Sequence, residues 1–222
     1  MFCNQCEQTV KGIGCTKIGV CGKSNDVAGL QDLLTYTIQG LCMVANEGRK
    51  VGVIDKGVDR FTCEAIFACL TNVDFDPARF EKWINRAVTL RDELKEKVGA
   101  AGGKVEFETA EASFVPADNL EALEKQGDDL NFITALDNNE DLRSLKQIAI
   151  YGLRGLAAYV DHAAILGQED QEVFGFIHET MTALTRKDLG LDDLVPAALK
   201  IGCLLYTSPS PRDATLARMP SS

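Results

Sequence analysis

Four cysteines lie within the first 21 residues, and this group restricts the chain more than any other feature. Their spacing is Cys3-x2-Cys6-x8-Cys15-x5-Cys21. A two-residue gap lets two thiolates from one turn reach the same centre, and the longer gaps bring the other two around its far side. Four thiolates are the usual ligand set of an iron–sulfur cluster. The spacing therefore predicts one metal centre bound by Cys3, Cys6, Cys15 and Cys21.

Zinc is an alternative metal for the same four thiols, because structural zinc sites also use four cysteine ligands. Such sites more often pair two short Cys-x2-4-Cys elements, whereas five residues separate Cys15 from Cys21. Metal-free thiols, either reduced or redox-active, are a third interpretation. The residues alone favour an iron–sulfur cluster and leave the other two open.

The composition is that of an ordinary globular protein, with 45% apolar and 25% charged residues in 222. A net charge of −10 argues against nucleic acid as a partner, since phosphate binding needs a basic surface. No apolar run approaches the roughly 20 residues of a membrane helix, and the first residues lack a signal-peptide pattern. We therefore expect a cytoplasmic protein, with reduced thiols and no membrane association.

Apolar residues recur at helical spacing along most of the chain, which predicts an all-α fold. An internal repeat relates residues 30–45 to residues 142–157 at a constant offset of 112. The simplest interpretation is a duplicated three-helix bundle preceded by a cysteine-rich, cluster-binding loop. The predicted segments are the iron–sulfur loop 1–24, the first three-helix unit 25–98, a connector 99–137, the second three-helix unit 138–202 and a tail 203–222.

The helix boundaries follow from caps and breaks. The first unit is predicted to hold helices at about 26–47, 58–70 and from Pro77 onward. The second unit is predicted to hold helices at 141–166 and 168–185, with a truncated third helix from about residue 191. In the connector, residues 105–107 are predicted as a short strand and residues 119–126 as a short helix. The tail is rich in proline and serine and resembles translated adapter sequence. We therefore expect it to be non-native or disordered.

The remaining metal-binding residue types have simpler explanations. Cys42, Cys63 and Cys69 lie within apolar helical stretches, where a buried thiol packs as a small hydrophobe. His162 and His178 fall on predicted helices with no cysteine nearby, so packing or surface roles are expected.

Several segments resemble the beginning of the hybrid cluster proteins, also called prismane proteins or hydroxylamine reductases. The likeness extends in helical layout through about residue 202 and is most specific in the first 35 residues. The segments that carry it are MFCNQCEQT at residues 1–9, GCT at 14–16, GVCGK at 19–23 and LQDLL at 30–34.

This resemblance implies a cytoplasmic oxidoreductase. Members with this compact cysteine spacing usually carry [4Fe-4S], and a longer-spaced subgroup carries [2Fe-2S]. The implied ligands of [4Fe-4S] are therefore Cys3, Cys6, Cys15 and Cys21. Two later α/β domains of the family hold a hybrid iron–sulfur–oxygen cluster that reduces hydroxylamine to ammonia and water.

Members of the family are more than twice as long as this chain, and the ligands of the hybrid cluster lie beyond its end. The resemblance therefore implies that this fragment holds no hybrid cluster and is inactive alone. The implied partners are an electron donor, such as a ferredoxin or an NADH-dependent reductase, and a small nitrogen-oxide substrate for the whole protein.

Two other functions remain open from the sequence, namely a standalone iron–sulfur electron-transfer module and a structural zinc module. The loop is also basic within an acidic protein. It carries Lys11, Lys17 and Lys23 against Glu7 alone. We expect these lysines to form a docking surface for an acidic donor, with plain solvation of the loop as the alternative.

Overall fold

The computed structural model describes residues 1–207, and all regular elements in this range are helical. The predicted all-α fold is therefore confirmed. The nine α-helices are α1 (Asn25–Lys50), α2 (Lys56–Ala68), α3 (Pro77–Ala100), α4 (Ala110–Ser113), α5 (Leu120–Leu130), α6 (Phe132–Ala135), α7 (Glu140–Ile165), α8 (Gln171–Ala183) and α9 (Leu191–Thr207).

Short polar side chains start most of the long helices. Asp55, Asp76 and Asp170 each precede a helix, and each accepts a hydrogen bond from a backbone N–H of its first turn. Asn119 and Asn139 do the same for α5 and α7. These bonds satisfy amides that have no partner inside the helix. α1 differs, since Ser24 stands at its N-cap without a side-chain hydrogen bond.

The two units repeat the same architecture. α1 and α7 each have 26 residues, and α2 and α8 each have 13. α7 begins 115 residues after α1, and α8 begins 115 residues after α2. The apolar pattern instead indicates an offset of 112. A slip of three residues is close to one helical turn of 3.6, so it leaves apolar positions on nearly the same face. The apolar pattern therefore detects the repeat without fixing its register.

The units share one core. α1 packs against α3 of its own unit and α8 of the other, and α7 packs against α9 and α2. The apolar face of α1 forms the centre, where Leu30, Leu34, Ile38 and Leu41 have no exposed surface. Burial of such side chains is the main favourable contribution to folding, at about 25 cal/mol per Å² of apolar area.

The connector crosses the bundle with three short helices. The predicted helix at residues 119–126 is confirmed and extends to Leu130. The predicted strand at residues 105–107 is wrong, because no neighbouring strand in the described range pairs with it. Val105 and Phe107 instead pack, partly buried, against the core. At the end of the connector, the buried Lys146 donates to the Leu136 carbonyl and to Asp137. These hydrogen bonds fix the connector against α7.

α9 has 17 residues, against 24 in α3. It continues to Thr207, so it extends five residues past the boundary at which the sequence predicts that helical structure stops. The rest of the predicted tail, residues 208–222, lies outside the described residues. Within the described part of the chain, none of the helices has both the length and the apolar character to cross a bilayer.

Candidate metal centre

The first and third cysteines are held together by the backbone. The Cys3 N–H donates to the Cys15 carbonyl at 3.0 Å, and the Cys15 N–H donates to the Cys3 carbonyl at 2.8 Å. This pair forms an isolated antiparallel bridge. It closes the eleven-residue segment between the two cysteines into a loop whose ends are fixed.

Thr9 lies inside this loop and connects three of the four cysteines. Its backbone N–H donates to the Cys6 carbonyl at 3.2 Å. Its hydroxyl donates to the Cys3 carbonyl at 3.0 Å and lies 3.9 Å from the Cys15 sulfur. One threonine therefore supports the backbone at Cys3 and Cys6 and contacts the sulfur of Cys15.

Cys21 lies in a second turn, between two glycines. The Gly22 N–H donates to the Gly19 carbonyl at 2.8 Å, and Gly22 has a φ of +89°, a value that favours glycine. A Cβ atom on Gly19 would lie 3.0 Å from the Cys21 sulfur. Gly19 therefore leaves space beside this thiol that a larger residue would occupy.

The environment of Cys15 stabilises its thiolate. Cys15 is buried, whereas Cys3, Cys6 and Cys21 are half-buried. Backbone hydrogen bonds from Val20 and Val10 lower the pKa of Cys15, and the Thr9 hydroxyl and the charge of Lys23 act in the same direction. The thiolate is the form that binds metal. The donors around this sulfur therefore fit a thiolate-ligated group.

The four thiols lie in one cysteine-rich segment, but they do not form the ligand cage of a single ion. Within residues 1–207, no three His, Cys, Asp or Glu side chains are grouped so that they could hold a metal ion. The ligands of one zinc ion each lie about 2.3 Å from it when they are thiolates. An iron–sulfur cluster instead places an inorganic core between its thiolates. The assignment of the four cysteines as ligands stays a prediction from their sequence.

Side chains of the loop attach it to α7 and to the turn that follows α2. The Asn4 amide nitrogen donates to Gln147 at 3.1 Å, and the Tyr151 hydroxyl donates to the Asn4 amide oxygen at 2.7 Å. Gln5 accepts a hydrogen bond from the Thr71 hydroxyl at 3.0 Å. The loop is therefore fixed to both units.

Two buried cations contact α1 where it follows the cysteine-rich segment. Lys23 and Arg154 are each 1% exposed. Lys23 donates to the Gln31 side chain at 2.5 Å, and Arg154 donates to the Thr35 hydroxyl at 3.0 Å, so both reach the same turn of α1. Neither Arg154 nor the adjacent Tyr151 was predicted from the sequence as a site residue. A single arginine within the apolar stretch of residues 153–158 is the signal that could have identified this position.

The other cysteines and histidines pack as expected. Cys42, Cys63 and Cys69 are buried, and burial raises the pKa of all three thiols. His162 is exposed and meets the Phe67 ring edge-on, with 5.4 Å between the ring centroids. His178 is fully buried. The predicted packing and surface roles of these residues are confirmed.

Comparison with known proteins gives one consistent family. The model of the Prismane/CO dehydrogenase family matches residues 1–209. A hydroxylamine reductase of Syntrophobacter fumaroxidans is 54% identical over 202 residues, which cover 91% of this chain and 37% of that protein. The hydroxylamine reductase of Methanocella arvoryzae is 50% identical over 205 residues, again 91% of this chain and 37% of that protein.

A third hydroxylamine reductase, from Maridesulfovibrio salexigens, is 48% identical over 203 residues, with 91% of this chain and 36% of that protein covered. The chain thus spans little more than a third of the length of these curated relatives. The family match covers nearly all of this chain. The chain therefore belongs to the Prismane/CO dehydrogenase family.

Proposed function

We propose that this chain is the N-terminal part of a hydroxylamine reductase and carries single electrons on an iron–sulfur cluster held by Cys3, Cys6, Cys15 and Cys21. Family membership supports an iron–sulfur cofactor, and the names of the relatives support the activity of the whole protein. The observation that carries the proposal is the Cys3–Cys15 backbone bridge, which gathers thiols from a compact four-cysteine segment into one loop.

The resemblance to family members with the same compact cysteine spacing favours [4Fe-4S] over [2Fe-2S]. When bound, such a cluster supplies one-electron transfer. Val10, Val20 and Thr9 hydrogen-bond to the Cys15 sulfur and stabilise its negative charge. Hydrogen bonds to the sulfurs and solvent exposure both help to set the reduction potential. The half-buried positions of Cys3, Cys6 and Cys21 leave the loop near the surface, where a donor protein could approach.

The reaction proposed for the whole protein breaks the N–O bond of hydroxylamine. It consumes two electrons and two protons and yields one ammonia and one water. The two electrons arrive singly, so two transfers through the loop serve each turnover. We place the bond-breaking chemistry at a hybrid cluster outside this chain, and we expect the chain alone to accept electrons without reducing hydroxylamine.

The electron donor is proposed to be an acidic cytoplasmic redox protein that docks on the loop. Lys11 and Lys17 are exposed, and opposite charge steers the encounter of two proteins. Lys23 is buried and faces Gln31, so the expected three-lysine surface narrows to two lysines. Exposed apolar side chains adjoin them in the sequence, and we propose these as the centre of the docking surface. These are Val10, Ile13, Ile18 and Val20.

Anaerobic reconstitution followed by iron, sulfide and zinc analysis tests the cluster. We expect about four iron and four sulfide per chain, with visible absorbance from thiolate–iron charge transfer. Cys15→Ser should lose most of the iron, whereas Cys203→Ser, a cysteine substitution outside the loop, should keep it. Circular dichroism checks that both variants are folded. Stoichiometric zinc without this absorbance would show a structural zinc module instead.

The parent reading frame separates the reductase from a standalone electron-transfer module. Several hundred further codons that supply histidine, glutamate and cysteine ligands are expected for a reductase. A genuine stop codon directly after residue 222 would favour the standalone module.

A further inference from the structure

Arg154 is buried without enough partners for its charge. Its guanidinium makes one hydrogen bond, from Nη2 to Thr35, while Nε and Nη1 have no partner. Neither Arg154 nor Lys23 takes part in any of the ion pairs found within residues 1–207. A buried charge with unpaired donors is costly unless an opposite charge lies nearby. The protein atoms around Arg154 do not supply that charge in a direct contact.

One acidic group, Asp32, interacts with Arg154 and compensates its charge only partly. Asp32 is half-buried on α1, and burial raises its pKa to about 6 although Arg154, Lys23 and the N-terminus all lower it. A carboxyl group with this pKa is mostly ionised at pH 7, so Asp32 supplies one negative charge there and loses it as the pH falls through about 6. Two fully buried cations, Lys23 and Arg154, therefore share this one carboxylate. The group of three side chains has excess positive charge.

A short chain of contacts leads from Arg154 to the cysteines. The Arg154 Cζ atom lies 5.5 Å from the centroid of the Tyr151 ring. The hydroxyl of Tyr151 donates to Asn4, which stands between Cys3 and Cys6. On the other side, Lys23 follows Cys21 by two residues, and its backbone carbonyl accepts a hydrogen bond from the Gly19 N–H at 2.8 Å. The two buried cations are therefore adjacent to the segment that carries all four thiols.

We propose that Arg154 is the buried counter-charge of the thiolate-held cluster and raises its reduction potential, with Lys23 as the second cation. This inference rests on the proposed function, because it requires a cluster on the four cysteines. Reduction adds negative charge to an already anionic group, and a nearby fixed positive charge stabilises the reduced form more than the oxidised form. Since Arg154 belongs to α7, the second unit takes part in tuning a centre whose ligands all precede the first unit.

The test is the midpoint potential of the reconstituted full 222-residue chain. Arg154→Met removes the charge and the unpaired donors but keeps an unbranched side chain. Proteins often tolerate replacement of a buried ionic residue by an apolar residue of similar volume. We expect a decrease of at least tenfold in the equilibrium constant for one-electron reduction, which is about 59 mV. Arg154→Lys should restore most of this loss. Arg91→Met is the control, because Arg91 is also buried but is bonded to Asp92 and the Phe114 carbonyl.

Each outcome decides the inference. An unchanged potential in Arg154→Met, or a shift that Arg154→Lys does not reverse, would overturn it. If Arg154→Met fails to take up the cluster, Arg154→Gln is measured in its place. Loss of the cluster from both neutral variants but not from Arg154→Lys supports the counter-charge, and loss from all three variants refutes it. A wild-type chain that binds no iron–sulfur cluster refutes the proposed function itself, which is a separate result.

Discussion

The Nδ1 atom of His178 lies 3.8 Å from the Oδ1 atom of Asp59, and neither imidazole nitrogen has a hydrogen-bond partner. His178 belongs to α8 and Asp59 to α2, so this contact joins the two units. Arg49 completes the group, with its Nη2 atom 2.7 Å from the same Asp59 oxygen. Asn46 donates to the His178 carbonyl at 3.0 Å and fixes α8 against α1. The boundary between the units is therefore a buried polar cluster as well as an apolar contact.

Acid should destabilise the chain through His178. Burial, and secondly the charge of Arg49, lower its pKa to about 3 in the folded state, while an unfolded histidine titrates near 6.5. Below about pH 6.5 the unfolded chain binds the proton and the folded chain does not. The free energy of unfolding should therefore fall by about 1.4 kcal/mol per pH unit as the pH decreases from about 6.5 towards 3.

The raised pKa of Asp59 acts in the opposite direction, because a protonated Asp59 stabilises the folded state as the pH falls. For that reason the quantity to measure is the difference between wild-type and His178→Gln in urea unfolding across this pH range. The variant should lack the histidine contribution to the slope. His162→Gln, at an exposed histidine, should retain it. Parallel profiles for wild-type and His178→Gln would contradict the assignment.

Gly40 should be the least replaceable glycine of α1. A Cβ atom at this position would lie 2.1 Å from the backbone oxygen of Glu111, in α4. Gly40→Ala should therefore force the two elements apart and lower the free energy of unfolding by about 1 to 3 kcal/mol. Gly155→Ala in α7 is the matched control, since a Cβ atom there meets nothing within 4 Å. That variant should be stabilised by about 0.5 to 1 kcal/mol in the same denaturation experiment.

Removal of the Tyr151 hydroxyl should loosen the cysteine loop. Tyr151→Phe loses the hydrogen bond to Asn4 and should cost about 1 kcal/mol, mostly as easier local opening. Hydrogen exchange of the amides in residues 3–21 measures this opening directly. Tyr159→Phe, at an exposed tyrosine of the same helix, should leave their exchange unchanged. Equal exchange in the two variants would mean that the Tyr151–Asn4 hydrogen bond does not fix the loop.

The two exposed lysines of the loop should control the salt dependence of cluster reduction. Reversal of both charges, in Lys11→Glu with Lys17→Glu, should slow reduction by an acidic ferredoxin at low ionic strength and flatten its salt dependence. Lys50→Glu with Lys56→Glu is the control, because these exposed lysines lie near the end of α1 remote from the loop. An unchanged salt dependence in the loop variant would exclude this docking surface.

The sequence alone determined the helical class, the duplication and the existence of a four-cysteine loop. These features depend on local properties, namely the apolar period of about 3.6 residues, the capping residues and the spacing of thiols along the chain. The stripe of α1, the start of α3 after Asp76 and the burial of Cys42 could all be predicted for this reason. The ligand assignment still depends on this local pattern, together with the family match.

The tertiary structure decided which residues face one another. It moved the repeat register to 115, because an apolar pattern tolerates a slip of about one turn. It left residues 105–107 without a pairing strand, since strand formation needs a partner that local sequence does not specify. It also buried Lys23 and placed Arg154, which is 131 residues away in the chain, against the same turn of α1. The grouping of these two positive charges is therefore a property of the assembled fold, since electrostatic interactions depend on distances in space and not along the chain.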